Sequence, residues 1–220
     1  MGNFMASSPA TPRLAAPWSA PECIGQGRID TVHGDITTLG TVQCIVNAAN
    51  ETGLGCDIPN HCVDSAIHAA AGPRMRDECK MACSEIGGGL PVAHPILTKG
   101  YDLPCQWVLH VQGPRIRWPG DRERLDLLAK CYESCLAKCL WNNITSVAFC
   151  CISTGLYGYD KRRAAETAFQ TVAMWQKKYP SYQGAKILTP NVVFVTFTED
   201  DKRLYEAFVA RHHSSAQAGA

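Results

Sequence analysis

What most limits the fold of this chain is an alternation. Short β-branched and apolar runs take turns with longer amphipathic stretches, and the runs end at glycine, asparagine, serine or threonine. Residues 28–33, 42–46, 93–98, 107–111, 146–152 and 192–197 read as strands. Residues 62–71, 73–84, 122–141, 161–177 and 200–210 carry helical spacing. Such alternation argues an α/β layered domain with helices on both faces of the sheet. Loops that bind or react are then expected at the carboxyl ends of the strands.

The flanks lack this pattern. Residues 1–25 are rich in Ala, Ser and Pro without periodicity and read as a disordered tail, as do residues 212–220. That leaves one domain over 26–211 in a chain of 220 residues. The formal net charge of +1 gives no global field toward nucleic acid or an anionic membrane. No stretch is long and apolar enough to span a bilayer, and no apolar signal segment opens the chain. Twelve cysteines are many, yet below the density of a small disulfide scaffold. The expectation is a monomer with reduced thiols in the cytoplasm, with the nucleus as the alternative. Cys131, Cys135 and Cys139 repeat at helical spacing on one face, which reads as a buried stripe rather than a metal site.

The segment from Asn47 to Asp64 is the densest in chemistry. An apolar strand runs into two amides, Asn47 and Asn50, which suit sugar hydroxyls. A small-residue loop then carries Cys56, His61 and Cys62, a donor set that suits zinc and leaves a fourth position open. Asp64 follows and could serve as a base. Free thiols are common in this chain, and adjacent His61 and Cys62 are tight for one tetrahedral ion. Spacing alone therefore leaves zinc and ordinary thiols both open.

Two other strand ends carry candidates. Asp35, in Gly34-Asp35-Ile36-Thr37, could accept from an amine or hydroxyl, or simply cap a turn. The loop Ser153-Thr154-Gly155-Leu156-Tyr157-Gly158 precedes a helix start near Asp160. Its glycines let the backbone approach a ligand, and its amides could cradle a diphosphate, with Tyr157 packed on a sugar face. Gly87-Gly88-Gly89 is followed by Leu90-Pro91 and a strand, so it reads as a turn and not a phosphate loop. His68 reads as a satisfied helix histidine, and His33, His94 and His110 as buried or edge histidines of strands.

Taken in order, the motifs resemble the macrodomain family of ADP-ribose-binding proteins. They are Val32-His-Gly-Asp35-Ile-Thr, Ile45-Val-Asn-Ala-Ala-Asn50, Val63-Asp64-Ser-Ala-Ile-His68, Tyr101-Asp-Leu-Pro104, Val108-Leu-His110-Val-Gln-Gly-Pro114 and Ile152-Ser-Thr-Gly155-Leu-Tyr-Gly158-Tyr159. The loop Leu54-Gly-Cys56-Asp-Ile-Pro-Asn-His61-Cys62 resembles that of the zinc-dependent branch, whose members are mono-ADP-ribosyl hydrolases, although bacterial members place one residue between the ligand His and the second Cys.

The resemblance implies a three-layer α/β/α domain with a central mixed sheet. Asp35 would hold the adenine amine with Ile36 beside the ring, and Phe197 would be an adenine neighbour. The backbone from Ser153 to Gly158 would hold the diphosphate. Asn47 would organise the loop, and Asn50 would bond the distal ribose and, flanking the scissile bond, be catalytic together with Asp64. Cys56, His61 and Cys62 would hold Zn2+ beside the scissile bond, with Asp64 acting on water. The implied reaction removes mono-ADP-ribose from a modified protein side chain. A non-catalytic ADP-ribose reader and an O-acetyl-ADP-ribose deacetylase are the alternatives.

Overall fold

The computed structural model describes residues 27–56, 62–118, 122–179 and 189–218. The expected N-terminal tail and His61 lie outside the described residues. The strands are β1 (Ile29–His33), β2 (Cys44–Ala49), β3 (Ile96–Lys99), β4 (Trp107–Gln112), β5 (Ser146–Phe149) and β6 (Asn191–Thr196). The helices are α1 (Val63–Ala71), α2 (Pro73–Glu85), α3 (Leu125–Trp141), α4 (Lys161–Lys178) and α5 (Glu199–Ala218).

The strands form one sheet in the order β1-β6-β5-β2-β4-β3. Every neighbouring pair is parallel except β3 with β4 at the edge. Central strands covered on both faces need apolar residues at nearly every position. Accordingly Ile45, Val46, Val147, Ala148, Phe149, Val192, Val193 and Phe194 are all buried. One face is closed by α3, α4 and α5. Their Tyr132, Phe169 and Tyr205 meet Phe149 and Phe194 of the sheet with ring centroids 4.8–6.4 Å apart. Right-handed crossovers put α1 and α2 on the other face, giving three layers. No described helix is long and apolar enough to cross a membrane.

The cysteine stripe of α3 is found as expected: Cys131, Cys135 and Cys139 are fully buried. Burial pushes the Cys131 thiol up to about 12 and the Cys135 thiol well above its usual range, so both remain protonated packing groups.

Several boundaries shift from the sequence reading, and three of the shifts matter here. β2 runs on to Ala49, which places Asn47 inside the ladder opposite His110 of β4. β5 ends at Phe149 rather than residue 152, shortly before the backbone turns left-handed at Ser153 (φ +69°). The chain does not become an irregular tail after Arg211, because α5 continues to Ala218. Helix-compatible residues fill that stretch, and His213 Nε2 contacts the carbonyl oxygen of Ile29 at 3.0 Å, tying the extra turns to β1.

Candidate functional site

Five parallel strands deliver five loops to one edge of the sheet. In spatial order they carry Asp35 (after β1), Phe197 (after β6), residues 150–159 (after β5), residues 50–56 (after β2) and residues 113–118 (after β4). The first two are held together, since the Gly34 N–H donates to the Thr196 carbonyl oxygen at 2.9 Å. Phe197 is 78% exposed beside that turn. Asp35 is exposed and caps the 3-10 turn Ile36–Thr38, its Oδ1 accepting from the Thr37 N–H at 2.9 Å and the Thr37 hydroxyl at 2.8 Å. Ile36 turns inward and is 5% exposed, so its side chain belongs to the core and offers almost no surface to a ring.

The loop after β5 leaves several of its amides without an internal partner. The N–H groups of residues 154–157 donate to no described residue, while the turn is closed by Gly158 N–H to Gly155 O at 3.1 Å and Tyr159 N–H to Ser153 O at 3.1 Å. Thr154 Oγ1 fastens its base to the Cys151 carbonyl at 3.0 Å. Ser153 is buried, and a Cβ at Gly113 would collide with its Oγ, so the neighbouring strand end must be glycine for the two to nest. The first turn of α4 is already capped by Asp160, whose Oδ1 accepts from the Arg163 N–H at 2.9 Å. An anion at this loop would therefore meet the loop amides rather than the helix end. Leu156 is exposed at the tip. Tyr157 lies between two loops: its hydroxyl is 3.5 Å from Glu51 Oε2, and the Arg115 guanidinium stands 5.3 Å from its ring centroid.

The loop-organising job expected of Asn47 is found at Asn50 instead. Asn50 shapes the loop: its Nδ2 donates to the Gly55 carbonyl at 3.0 Å, and its Oδ1 accepts from Thr52 N–H, Thr52 Oγ1 and Gly53 N–H at 2.6–3.1 Å. Both ends of its amide are thereby committed. Asn47 is fully buried, and its Nδ2 donates to Asp64 Oδ1 at 2.7 Å and to His110 Nδ1 at 3.1 Å.

Asp64, in the first turn of α1, is 2% exposed, and its Oδ2 has no hydrogen-bond partner among the described residues. Burial raises its proton affinity above the ordinary carboxylate range, and the Asn47 bond draws it part of the way back. His68, one turn later, is not the satisfied helix histidine expected. Both ring nitrogens are buried without a hydrogen-bond partner among the described residues, Nε2 is 3.6 Å from Asp64 Oδ1, and burial lowers its pKa to about 4. Gly55 lies directly over that ring. A Cβ there would stand 2.8 Å from His68 Cγ, and the glycine takes φ +85°, so loop 50–56 forms a roof on Asp64 and His68.

The family model described as Macro domain matches residues 46–168. The chain belongs to the macro domain family. A Staphylococcus aureus (strain MSSA476) relative named "Protein-ADP-ribose hydrolase" is 43% identical over 179 residues, 80% of this chain and 64% of its own length. A Fusarium oxysporum f. sp. cubense relative named "Probable bifunctional ADP-ribose hydrolase/ADP-ribosyltransferase" is 40% identical over 202 residues, 88% of this chain and 33% of its own length. The chain thus spans from a third to just under two thirds of these relatives. Among solved structures, the Oceanobacillus iheyensis macrodomain with ADP superposes with a TM-score of 0.73 at 32% identity, covering 85% of this chain and 92% of that one. The Trypanosoma brucei macrodomain in complex with ADP-ribose superposes with a TM-score of 0.68 at 37% identity, covering 83% and 69%.

In this macrodomain Cys56 and Cys62 bracket the segment that holds His61. Both are free, partly exposed thiols. Cys62 caps α1, with its backbone N–H donating to Ser65 Oγ at 3.2 Å. A second group of soft donors lies deeper: ligand atoms of His68, Cys79 and His110 fall within 4.8 Å of one another. The hydrogen bonds argue against an ion there. Asn47 donates to Nδ1 of His110, so the ring proton sits on Nε2, which faces Thr98 Oγ1 at 2.9 Å and has no lone pair to offer. A groove of about 570 Å³ between α4 and α5 is lined mainly by charged residues, of which Arg203 and Asp200 pair with each other. It lies outside the loop cluster that holds the candidate residues.

The sequence marks His110 only as a buried or edge histidine, and Glu51 and Arg115 carry no motif of their own. Glu51 and Arg115 sit in loops after β2 and β4, and that position was a usable signal. The role of His110 depends on strand register, which no local motif shows.

Proposed function

We propose that this macrodomain hydrolyses the bond joining ADP-ribose to a modified protein side chain, with zinc at the Cys56/His61/Cys62 loop. The observation that carries the reading is Asp64: a buried carboxylate with one oxygen lacking a partner among the described residues, held by Asn47 and beside His68, on whose ring the loop that bears Cys56 packs.

The order of loops matches the order of parts in ADP-ribose. Adenine would lie at Asp35 and Phe197, the diphosphate on the free amides of residues 154–157, and the distal ribose against Tyr157 at the mouth of loop 50–56. From β1 to β2 is three strand spacings, about 14 Å, which suits an extended dinucleotide-like ligand. Water adds to C1″ as the C1″–oxygen bond to the side chain breaks. Asp64 receives the proton from that water, and the departing side-chain oxygen is protonated from solvent. Desolvation makes Asp64 a better proton acceptor than an exposed carboxylate.

Two thiols and an imidazole form a donor set that fits zinc, and neither thiol is engaged in a disulfide. Zinc held by Cys56, His61 and Cys62 would supply Lewis-acid polarisation of a ribose hydroxyl or the leaving carbonyl, or lower the pKa of a water toward about 7. Asn50 acts indirectly, by holding the loop shape that presents Cys56.

Release of ADP-ribose from a mono-ADP-ribosylated protein tests the reading. Asp64→Asn preserves the acceptor for Asn47 while removing the base, so it should lower turnover by about 10²–10⁴ with ADP-ribose affinity retained. Asn50→Ala should lower turnover, affinity and thermal stability together. Wild-type protein that binds ADP-ribose yet releases none from modified protein would make it a reader.

A further inference from the structure

Behind Asp64 runs a chain of hydrogen bonds whose every donor can be assigned. Thr98 Oγ1 donates to the Lys99 carbonyl at 3.2 Å, so its lone pairs are free to accept. His110 Nε2 lies 2.9 Å from that oxygen and donates to it. With the proton on Nε2, Nδ1 is an acceptor, and it takes one hydrogen of the Asn47 amide at 3.1 Å. The other hydrogen of that amide goes to Asp64 Oδ1 at 2.7 Å. Asn47 Oδ1 is buried without a partner among the described residues, so the printed bonds of this amide are those of its nitrogen. Thr98, His110 and Asn47 are each fully buried, so water does not compete for these bonds.

We propose that His110 is a positioning residue of the hydrolytic site: through its Nδ1 lone pair it holds the Asn47 amide with N–H toward Asp64, and it is itself set by Thr98. This rests on the hydrolase reading for its effect on turnover, although the orientation stands independently of it. Reversing Asn47 would set its oxygen against both the carboxylate and the Nδ1 lone pair, two repulsions in a dry environment. The groups around the ring are Asn47 from β2, Cys79 from α2 (Sγ at 3.5 Å from Nε2), Thr98 from β3 and His68 from α1 (ring centroids 5.4 Å apart). None is a cation that would demand the opposite tautomer. Burial keeps the ring neutral, with a pKa lowered to about 3, so the arrangement persists wherever the protein is folded.

Two measurements decide it. Nitrogen NMR of the histidine side chains should show His110 as the Nε2–H tautomer at neutral pH. An Nδ1–H tautomer overturns the proposal whether or not the protein is an enzyme. In the release assay, His110→Leu removes the acceptor and His110→Asn restores one near the Nδ1 position. The leucine variant should lose at least tenfold in kcat with KM within twofold of wild type, and the asparagine variant should recover most of the loss.

A purely structural role predicts the opposite order, because leucine suits the core better than an amide. Leucine turning over like wild type, or asparagine no better than leucine, overturns the proposal. Should His110→Leu fail to fold, Thr98→Val tests the same chain from the edge strand. It frees Nε2–H and should lower kcat about threefold without changing KM, and an unchanged kcat counts against the proposal. A wild type that shows the Nε2–H tautomer but no turnover removes the hydrolase reading, and with it the catalytic effect claimed for His110.

Discussion

Lowering the pH from 7 to 5 should cost this macrodomain a large part of its stability, and two histidines supply the reason. His68 and His110 are buried neutral, and burial lowers their pKa values from 6.5 to about 4 and about 3. Below pH 6.5 the unfolded chain takes up protons at both rings while the folded protein does not, so protonation pulls toward unfolding. The sign follows: the contribution is fully present above the unfolded pKa and is lost as pH falls toward the folded values. At pH 5 each ring costs about 2 kcal/mol, taken from the shifts above, and the pair about 4 kcal/mol. That is a sizeable fraction of a typical domain stability of about 5–15 kcal/mol. Asp64 works in the other direction, because its folded pKa is raised, and so it blunts the loss at the acid end.

The measurement is urea denaturation from pH 7.5 to 5, with the m-value checked for constancy. Stability should fall with a slope approaching 2.7 kcal/mol per pH unit, the limit for two groups titrating only in the unfolded chain. His68→Leu should remove about half of the slope, because one ring remains. A stability that stays flat between pH 7 and 5 in the wild type would show that these rings accept protons in the folded protein, and the buried, neutral cluster would be wrong.

Metal analysis of protein purified without chelator should give close to one zinc per chain, and Cys62→Ser should lose both the metal and the hydrolysis while keeping ADP-ribose binding. Zinc retained with normal activity in that variant would mean that other ligands are used. Asp35→Ala should weaken ADP-ribose binding by roughly 1.5–3 kcal/mol if its free carboxylate oxygen meets the adenine amine. Because Asp35 also caps the 3-10 turn, about 1 kcal/mol of stability should go with it. Calorimetry that finds unchanged affinity would move the adenine elsewhere.

Element type and order could be read from residue patterns because each strand and helix carries its own period. Boundaries were harder to read, and one mattered. Ending β2 at Val46 leaves Asn47 in the loop, where an amide is naturally read as shaping it. Carrying β2 to Ala49 sets Asn47 opposite His110, and its side chain becomes a core group reaching Asp64. The loop-shaping role then falls to Asn50. His68 escaped for a related reason: nothing in the helix pattern shows that Gly55, thirteen positions earlier, packs on its ring. The C-terminal turns of α5 were missed because their anchor, the Ile29 carbonyl, lies at the other end of the chain. The cysteine stripe of α3 needed no tertiary knowledge, and it is buried as its spacing implies.

Separating affinity from chemistry is a consequence of the sheet order. Asp35 and Phe197 leave β1 and β6, while Asp64 answers to β2 through Asn47 and to β4 through His110. Among the described residues the two groups share no hydrogen-bond partner, and they are separated by β5, whose own loop offers backbone amides and, toward the β2 side, the Tyr157 ring. Changes further apart than about 7–10 Å without shared partners act almost independently. Evolution can therefore alter the loop after β2, where this chain places His61 directly before Cys62, without disturbing what holds the nucleotide. Within the β2–β4 half the opposite holds. Asn47 gives both its hydrogens to that half, one to Asp64 and one to His110, so neither partner can change without altering how the other is held.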